Sequence, residues 1–120
     1  MTIQLISQPF DNIIGFKIEG KIEAKDIDYI VKSIEQKLKP GVKLRIYAEI
    51  ENWSGMSLVA FIKDLKFSLQ HFKDFEKEAI VSDQRWLKNL ANVTNTLFSG
   101  IEIKHFNISN KEQAWEFIGS

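Results

Sequence analysis

The sequence of 120 residues lacks cysteine, has two prolines and carries no excess of either charge. Without cysteine, disulfides, thiolate nucleophiles and thiolate metal ligands are excluded, and the composition fits a reducing cytoplasm. Sixteen basic and sixteen acidic residues cancel, so no overall field attracts nucleic acid or an anionic bilayer. No apolar run approaches the roughly 20 residues that a transmembrane segment needs, and the first residues do not read as a signal peptide. We therefore expect a cytoplasmic protein that does not bind nucleic acid.

Apolar and aromatic residues are plentiful. The sequence is 44% hydrophobic and 12% aromatic, with nine Phe and three Trp. A chain of this length and composition is long enough to bury a bulky core without covalent cross-links. We expect residues 1–120 to form a single domain.

The hydrophobic spacing predicts strands and helices that alternate after an N-terminal hairpin. The predicted strands are Ile3–Ile6, Ile13–Glu19, Val42–Ile50, Glu78–Ser82 and Ile101–Phe106. The predicted helices are Lys25–Lys39, Ser57–Phe72, Asp83–Leu97 and Asn110–Ile118.

Strict alternation in these strands predicts a sheet with one apolar face and one wet face. In the third strand Leu44, Ile46, Ala48 and Ile50 alternate with Lys43, Arg45, Tyr47 and Glu49. A doubly wound sheet would show near-continuous apolar strands instead, and no Gly-rich phosphate-binding turn is present. The predicted fold class is α/β, a five-stranded mixed sheet in which a hairpin precedes right-handed β-α units. The helices should lie mainly on one face.

One segment resembles the central signature of the SpoIIAA-like family, which has the STAS-domain, anti-anti-sigma-like fold. It consists of His71, the cluster Lys73–Glu76, the strand Ala79–Val81 and Trp86 in the next helix. The tripeptide Gly20–Ile22 and the pair Ala114-Trp115 also fit, whereas Ser82 stands where the family usually has Gly. The resemblance implies the STAS fold and a binding module rather than an enzyme.

The helix Ser57–Phe72 carries more apolar surface than one buried stripe uses. On a helical wheel Met56, Ala60 and Phe67 lie opposite the predicted core stripe, and similar residues flank the helix Asp83–Leu97. Such a surplus is typical of a surface that contacts an apolar small molecule or lipid, a membrane, a second copy of the chain or another protein. The predicted contact residues are Trp53, Met56, Val59, Ala60, Phe67, Leu87, Ala91 and Phe98.

A second hypothesis comes from the resemblance to anti-anti-sigma factors, which carry a phosphorylatable Ser between the third strand and its helix. Ser54 and Ser57 occupy that region. A phosphate there would disrupt an apolar contact surface by its charge. The simpler interpretation is that Ser57 caps the helix and Ser54 lies in a turn.

Enzymatic signatures are weak. The two histidines, His71 and His105, have no nearby ligand pattern that predicts a metal site, and no cofactor motif is present. Asp74, Glu76 and Glu78 alternate with Lys73 and Lys77, which is typical of a solvated link. We expect no catalysis, no metal and no cofactor. An enzyme of unknown reaction that uses Asp74, Asp83 or His71 stays as the third hypothesis.

Overall fold

The computed structural model describes residues 2–6, 12–56, 60, 63–64, 67, 70–83 and 100–120. Its centre is a five-stranded sheet in the order β1-β2-β3-β4-β5. β1 and β2 are antiparallel, and the pairs β2–β3, β3–β4 and β4–β5 are parallel. The predicted hairpin and mixed sheet are therefore confirmed. The strands are β1 (Thr2–Ile6), β2 (Ile13–Glu19), β3 (Leu44–Glu51), β4 (Phe75–Val81) and β5 (Glu102–Phe106).

Two helices are described from end to end. α1 (Ala24–Glu35) connects β2 to β3, and the Glu23 amide donates to Asp26 Oδ2 over 2.7 Å at its N-terminus, as in a capping box. α2 (Lys111–Gly119) follows β5 through a 3₁₀ turn at Ile108–Asn110. Between β3 and β4, the described residues Ala60, Lys63, Asp64, Phe67, Gln70 and His71 are helical. They precede a second 3₁₀ turn at Phe72–Asp74.

The first face of the sheet carries the larger apolar core. Alternate strand residues point to it, because the side chains of a strand alternate between its two faces. Parallel pairing then aligns Ile14 with Ile46 and Ile18 with Ile50. α1 covers this face with Ile27 and buries it from water. The other buried members of this core are Phe16, Ile22, Ile34, Leu44, Ala60, Ile80 and Ile103.

The second face is covered by α2, so the prediction of a wet face is wrong. Ala114 and Ile118 pack with Tyr47 and with neighbouring residues of β4. The rings of Tyr47 and Trp115 stack with centroids 3.7 Å apart and planes 15° apart. Tyr47 has no exposed surface and Glu49 is 4% exposed. Strand alternation could not predict this cover, because α2 does not connect two parallel strands and the crossover rule does not assign it a side.

Two cations from this second face bind the end of α2. Arg45 Nη1 donates to the carbonyls of Ile118 and Ser120, both over 2.7 Å, and Lys77 Nζ donates to the Phe117 carbonyl over 3.1 Å. The last carbonyls of a helix have no partner within it and carry partial negative charge. Arg45 and Lys77 therefore anchor α2 to β3 and β4.

Candidate functional site

The loop Asn52–Met56 follows β3 at the edge of the sheet where the parallel strands end, and backbone hydrogen bonds fix it to the chain that follows β2. The Ser54 amide donates to the Gly20 carbonyl over 3.1 Å, and the Ile22 amide donates to the Gly55 carbonyl over 2.9 Å. Ile22 and Met56 form an isolated parallel bridge. In α/β sheets this edge is where ligands commonly bind, and here two loops form one ordered surface.

Two residues with positive φ give the loop its shape. Asn52 has φ 50° and Gly55 has φ 109°. Asn is among the few residues with a side chain that enter the left-handed region readily, and Gly has no Cβ to oppose it. Between them, Ser54 is exposed and its hydroxyl donates to the Asn52 carbonyl over 3.3 Å. Ser54 therefore lies in an irregular loop between two residues of positive φ.

Trp53 and Met56 attach the loop to the protein interior. Both are half-buried and pack against the first-face core. The polar neighbours Asn52 and Ser54 are exposed. The surface of this loop therefore combines two partly accessible apolar side chains, Trp53 and Met56, with two exposed polar ones, Asn52 and Ser54.

The outward apolar stripe predicted for Ser57–Phe72 is wrong at Ala60, which has no exposed surface and belongs to the first-face core. Phe67 is half-buried, and its ring lies 4.6 Å from the His71 ring and 6.4 Å from the Phe75 ring. A helical wheel places residues on one helix but does not show that β4 supplies Phe75 as a neighbour. Ser57, Val59, Leu87, Ala91 and Phe98 lie outside the described residues.

The outer side of this helical segment is polar where it is described. Lys63 and Gln70 are exposed. Lys63 Nζ lies 2.8 Å from Asp28 Oδ1 of α1, which gives an ion pair between the two helical segments. This pair is exposed and contributes little to stability, but it shows which side of the segment faces water.

The three residues of the enzyme hypothesis do not form one site. His71 Nδ1 lies 3.0 Å from Asp74 Oδ2, a pair that was not predicted although the spacing of three residues could have indicated it. Asp74 precedes β4 and Asp83 follows it. A seven-residue strand spans about 23 Å. Asp83 Oδ1 instead accepts a 3.1 Å hydrogen bond from the Ile108 amide.

Glu78 was predicted to begin the fourth strand, but the acidic run that includes it was interpreted as solvated, and for Glu78 that interpretation is wrong. β4 begins at Phe75, and Glu78 pairs with Ile46 on one side and Ile103 on the other. It therefore shares the first face with the apolar core. Burial, with the nearby Asp64 carboxylate, raises the pKa of Glu78 to about 7. The unrecognised signal was that Glu78 is two residues before Ile80, which places both side chains on one face.

Neither metal chemistry nor a membrane span finds support in the described part of the chain. Its described residues contain no group of three or more His, Cys, Asp or Glu side chains arranged to hold a metal ion. No described helix is both long enough and apolar enough to cross a bilayer.

Comparison with known proteins agrees with this α/β architecture. A family profile described as SpoIIAA-like matches residues 13–119, which is nearly the whole chain. The chain belongs to the SpoIIAA-like family. No match was found among curated proteins.

A solved structure supports the SpoIIAA-like assignment. The chain is 28% identical to an uncharacterized protein of the DUF3478 family from Shewanella loihica PV-4, which has a SpoIIAA-like fold. The match covers 98% of this chain and 92% of the other, with a TM-score of 0.78. The STAS-type fold predicted from the resemblance is confirmed.

Proposed function

We propose that this SpoIIAA-like domain is a non-catalytic binding module that engages a protein partner through the Asn52–Met56 loop and the flank of the helical segment that follows it. The main support for this proposal is that backbone hydrogen bonds hold the loop against Gly20 and Ile22. A surface that is already ordered loses little conformational entropy when a partner binds. Val59, Leu87, Ala91 and Phe98, which lie outside the described residues, stay predicted members of the flanking contact surface, whereas Phe67 packs against the first-face core.

The chemistry of the loop favours a protein over a membrane or an apolar small molecule. Trp is enriched at the energetic centre of protein interfaces, where its ring is buried and polar groups surround it. Half-buried Trp53 beside exposed Asn52 and Ser54 has this composition. Membrane insertion requires a continuous apolar face, and the described outer side of the helical segment instead shows Lys63 and Gln70.

Site-specific photo-crosslinking tests this proposal. A photoreactive benzoyl-phenylalanine replaces Ser54 in the full chain, and the matched control carries it at Ser109, which is also exposed. On irradiation in the native host cells, we expect a discrete protein adduct from position 54 and none from position 109. Trp53→Ala should remove that adduct while the circular dichroism spectrum is retained.

Two outcomes contradict the proposal. Equal adducts at positions 54 and 109 would mean non-specific proximity. A lipid or small molecule retained on the native protein in mass spectrometry, with no protein adduct, would favour the apolar-ligand hypothesis.

The exposure of Ser54 also favours the second candidate, a phospho-regulated switch. A phosphoryl group on its hydroxyl would add up to two negative charges at the centre of the proposed contact surface. Ser54→Asp should then abolish the crosslink when the probe is placed at Asn52, whereas Ser54→Ala should not. Ser57, which lies outside the described residues, is the alternative acceptor, and phosphopeptide mapping of the cellular protein distinguishes the two. An identical crosslink in both Ser54 variants contradicts the switch at that position.

A further inference from the structure

A cleft opens at the opposite edge of the sheet, where β3 and β4 begin. Register pairing of Leu44 with Phe75 brings together the segments that precede these two strands. The cleft has a volume of about 340 Å³, which is at the lower end of the range for small-molecule sites. It is lined by Leu38, Lys39, Pro40, Gly41, Val42, Lys43, Lys73 and Asp74.

The cleft lining carries three cations and one anion. Lys39 comes from the turn after α1, Lys43 is the residue before β3, and Lys73 belongs to the 3₁₀ turn before β4. The lone carboxylate, Asp74, is hydrogen-bonded to His71 over 3.0 Å. In a chain whose formal charge is zero, the excess of cations over anions in this lining gives a local positive potential.

Ordinary structural roles explain only part of this cluster. A lysine shortly after a helix, such as Lys39, is favoured by the partial negative charge of the helix C-terminus. That reason does not extend to Lys43. Within the described part of the chain, neither Lys39 nor Lys43 makes an ion pair.

One side of the cleft is apolar, and among the described residues the space beside the Gly41 turn is free of other protein atoms. Leu38, Pro40 and Val42 line it, and Val42 is 38% exposed. Gly41 has φ +79°, and an added Cβ there would meet nothing within 4 Å. A ligand can therefore approach the turn closely while carbon atoms contact Val42.

We infer that this cleft binds a small organic phosphate, with the phosphate held between Lys39 and Lys43 and the carbon skeleton against Val42. A phosphate monoester carries nearly two negative charges near neutral pH, which suits two lysines that line one cleft from the loop between α1 and β3. Lysine binds phosphate as a point charge without the planar geometry that an arginine imposes. This site lies at the other edge of the sheet from the Asn52–Met56 loop and is independent of it.

A titration of the ¹⁵N-labelled full chain tests this inference, with phenyl phosphate as the probe at constant ionic strength. We expect saturable amide shift changes centred on Gly41, Val42 and Lys43, with inorganic phosphate binding more weakly because it lacks the carbon skeleton. The double variant Lys39→Gln/Lys43→Gln should raise the Kd about tenfold or more, because two attractive charges are removed.

The control is Lys111→Gln, which removes an equally exposed lysine on α2 and should change the Kd by less than about twofold. Shifts that do not saturate, or an equal Kd in the cleft variant and in the control, would mean an adventitious ion only and overturn the inference. Neither result bears on crosslinking at Ser54, so the two proposals fail separately.

Discussion

The phenolic oxygen of Tyr47 donates a 2.7 Å hydrogen bond to Oε1 of Glu49, two residues along the same strand. Both side chains lie on the second face of the sheet, beneath Trp115 and α2. A buried carboxylate is costly unless it is hydrogen-bonded. The stacked Trp115 ring and the Glu49 acceptor therefore fix the position of Tyr47 from two sides. Burial, followed by the hydrogen bond to Glu49, raises the pKa of Tyr47, so it remains a donor throughout the physiological range.

The first prediction concerns this pair. Tyr47→Phe leaves the Glu49 carboxylate buried without its donor and should lower the free energy of unfolding by about 1–3 kcal/mol. Urea denaturation followed by Trp fluorescence measures the loss. The matched control is Tyr29→Phe, because Tyr29 is 45% exposed and its loss should stay within about 0.5 kcal/mol.

A double variant separates the hydrogen bond from packing. Adding Glu49→Leu to Tyr47→Phe removes the unpartnered carboxylate and should recover part of the stability, because replacing both partners with apolar groups can be nearly neutral. Equal stability of Tyr47→Phe and Tyr29→Phe would contradict a structural role for the bond.

Local patterns predicted the centre of the sheet because the β2–β3 pair aligns apolar residues of the same face. Ile14 faces Ile46 across β2 and β3, and each was assigned to the core from its own strand alone. Tyr47 and Glu49 were assigned to water for the same reason, and this failed because the residues that bury them come from a distant helix. Alternation reports which residues share a face, but not whether that face has a cover.

The candidate site was predictable only in outline. The region of the Asn52–Met56 loop was located by its resemblance to anti-anti-sigma factors, which carry a Ser between the third strand and its helix. Its fixation to Gly20 and Ile22 was not predictable, since backbone hydrogen bonds between loops leave no residue pattern. Glu78 was missed because lysines beside it in sequence suggested solvent, although alternate residues of β4 face opposite sides.

The second prediction is a pH-dependent stability that originates at Glu78. Its pKa is raised from 4.5 to about 7 in the folded protein, so folding favours the protonated form. The favourable contribution is complete below about pH 4.5 and is lost as the pH rises through 7. At pH 8 the ionised carboxylate should cost about 2–3 kcal/mol.

Glu78→Gln keeps the shape of the protonated acid and cannot ionise. It should therefore be more stable than the unchanged protein at pH 8, and the difference should shrink toward zero at pH 5, as measured by urea denaturation at both values. Glu102→Gln is the control, because Glu102 is an exposed residue of β5. A difference between Glu78→Gln and the unchanged protein that is the same at both pH values would mean that Glu78 does not titrate in this range.

The third prediction decides on which side of its helical segment Phe67 lies. Its contacts with His71 and Phe75 imply that Phe67→Asp places a carboxylate against the first-face core. We expect a loss of about 2–4 kcal/mol in the free energy of unfolding, which thermal melting and urea denaturation both detect. Gln70→Asp introduces the same charge at an exposed position of the same segment and should leave the melting temperature nearly unchanged.

The two variants also connect stability to function. If Phe67→Asp melts like Gln70→Asp and yet loses the crosslink from Ser54, Phe67 faces outward and contributes to partner binding directly. If Phe67→Asp is strongly destabilised, its loss of the crosslink cannot be separated from unfolding. The role of Phe67 in binding is then measured with Phe67→Leu, which keeps an apolar side chain against Phe75 while removing the ring. A crosslink that survives Phe67→Leu but not Trp53→Ala would confine the contact surface to the Asn52–Met56 loop.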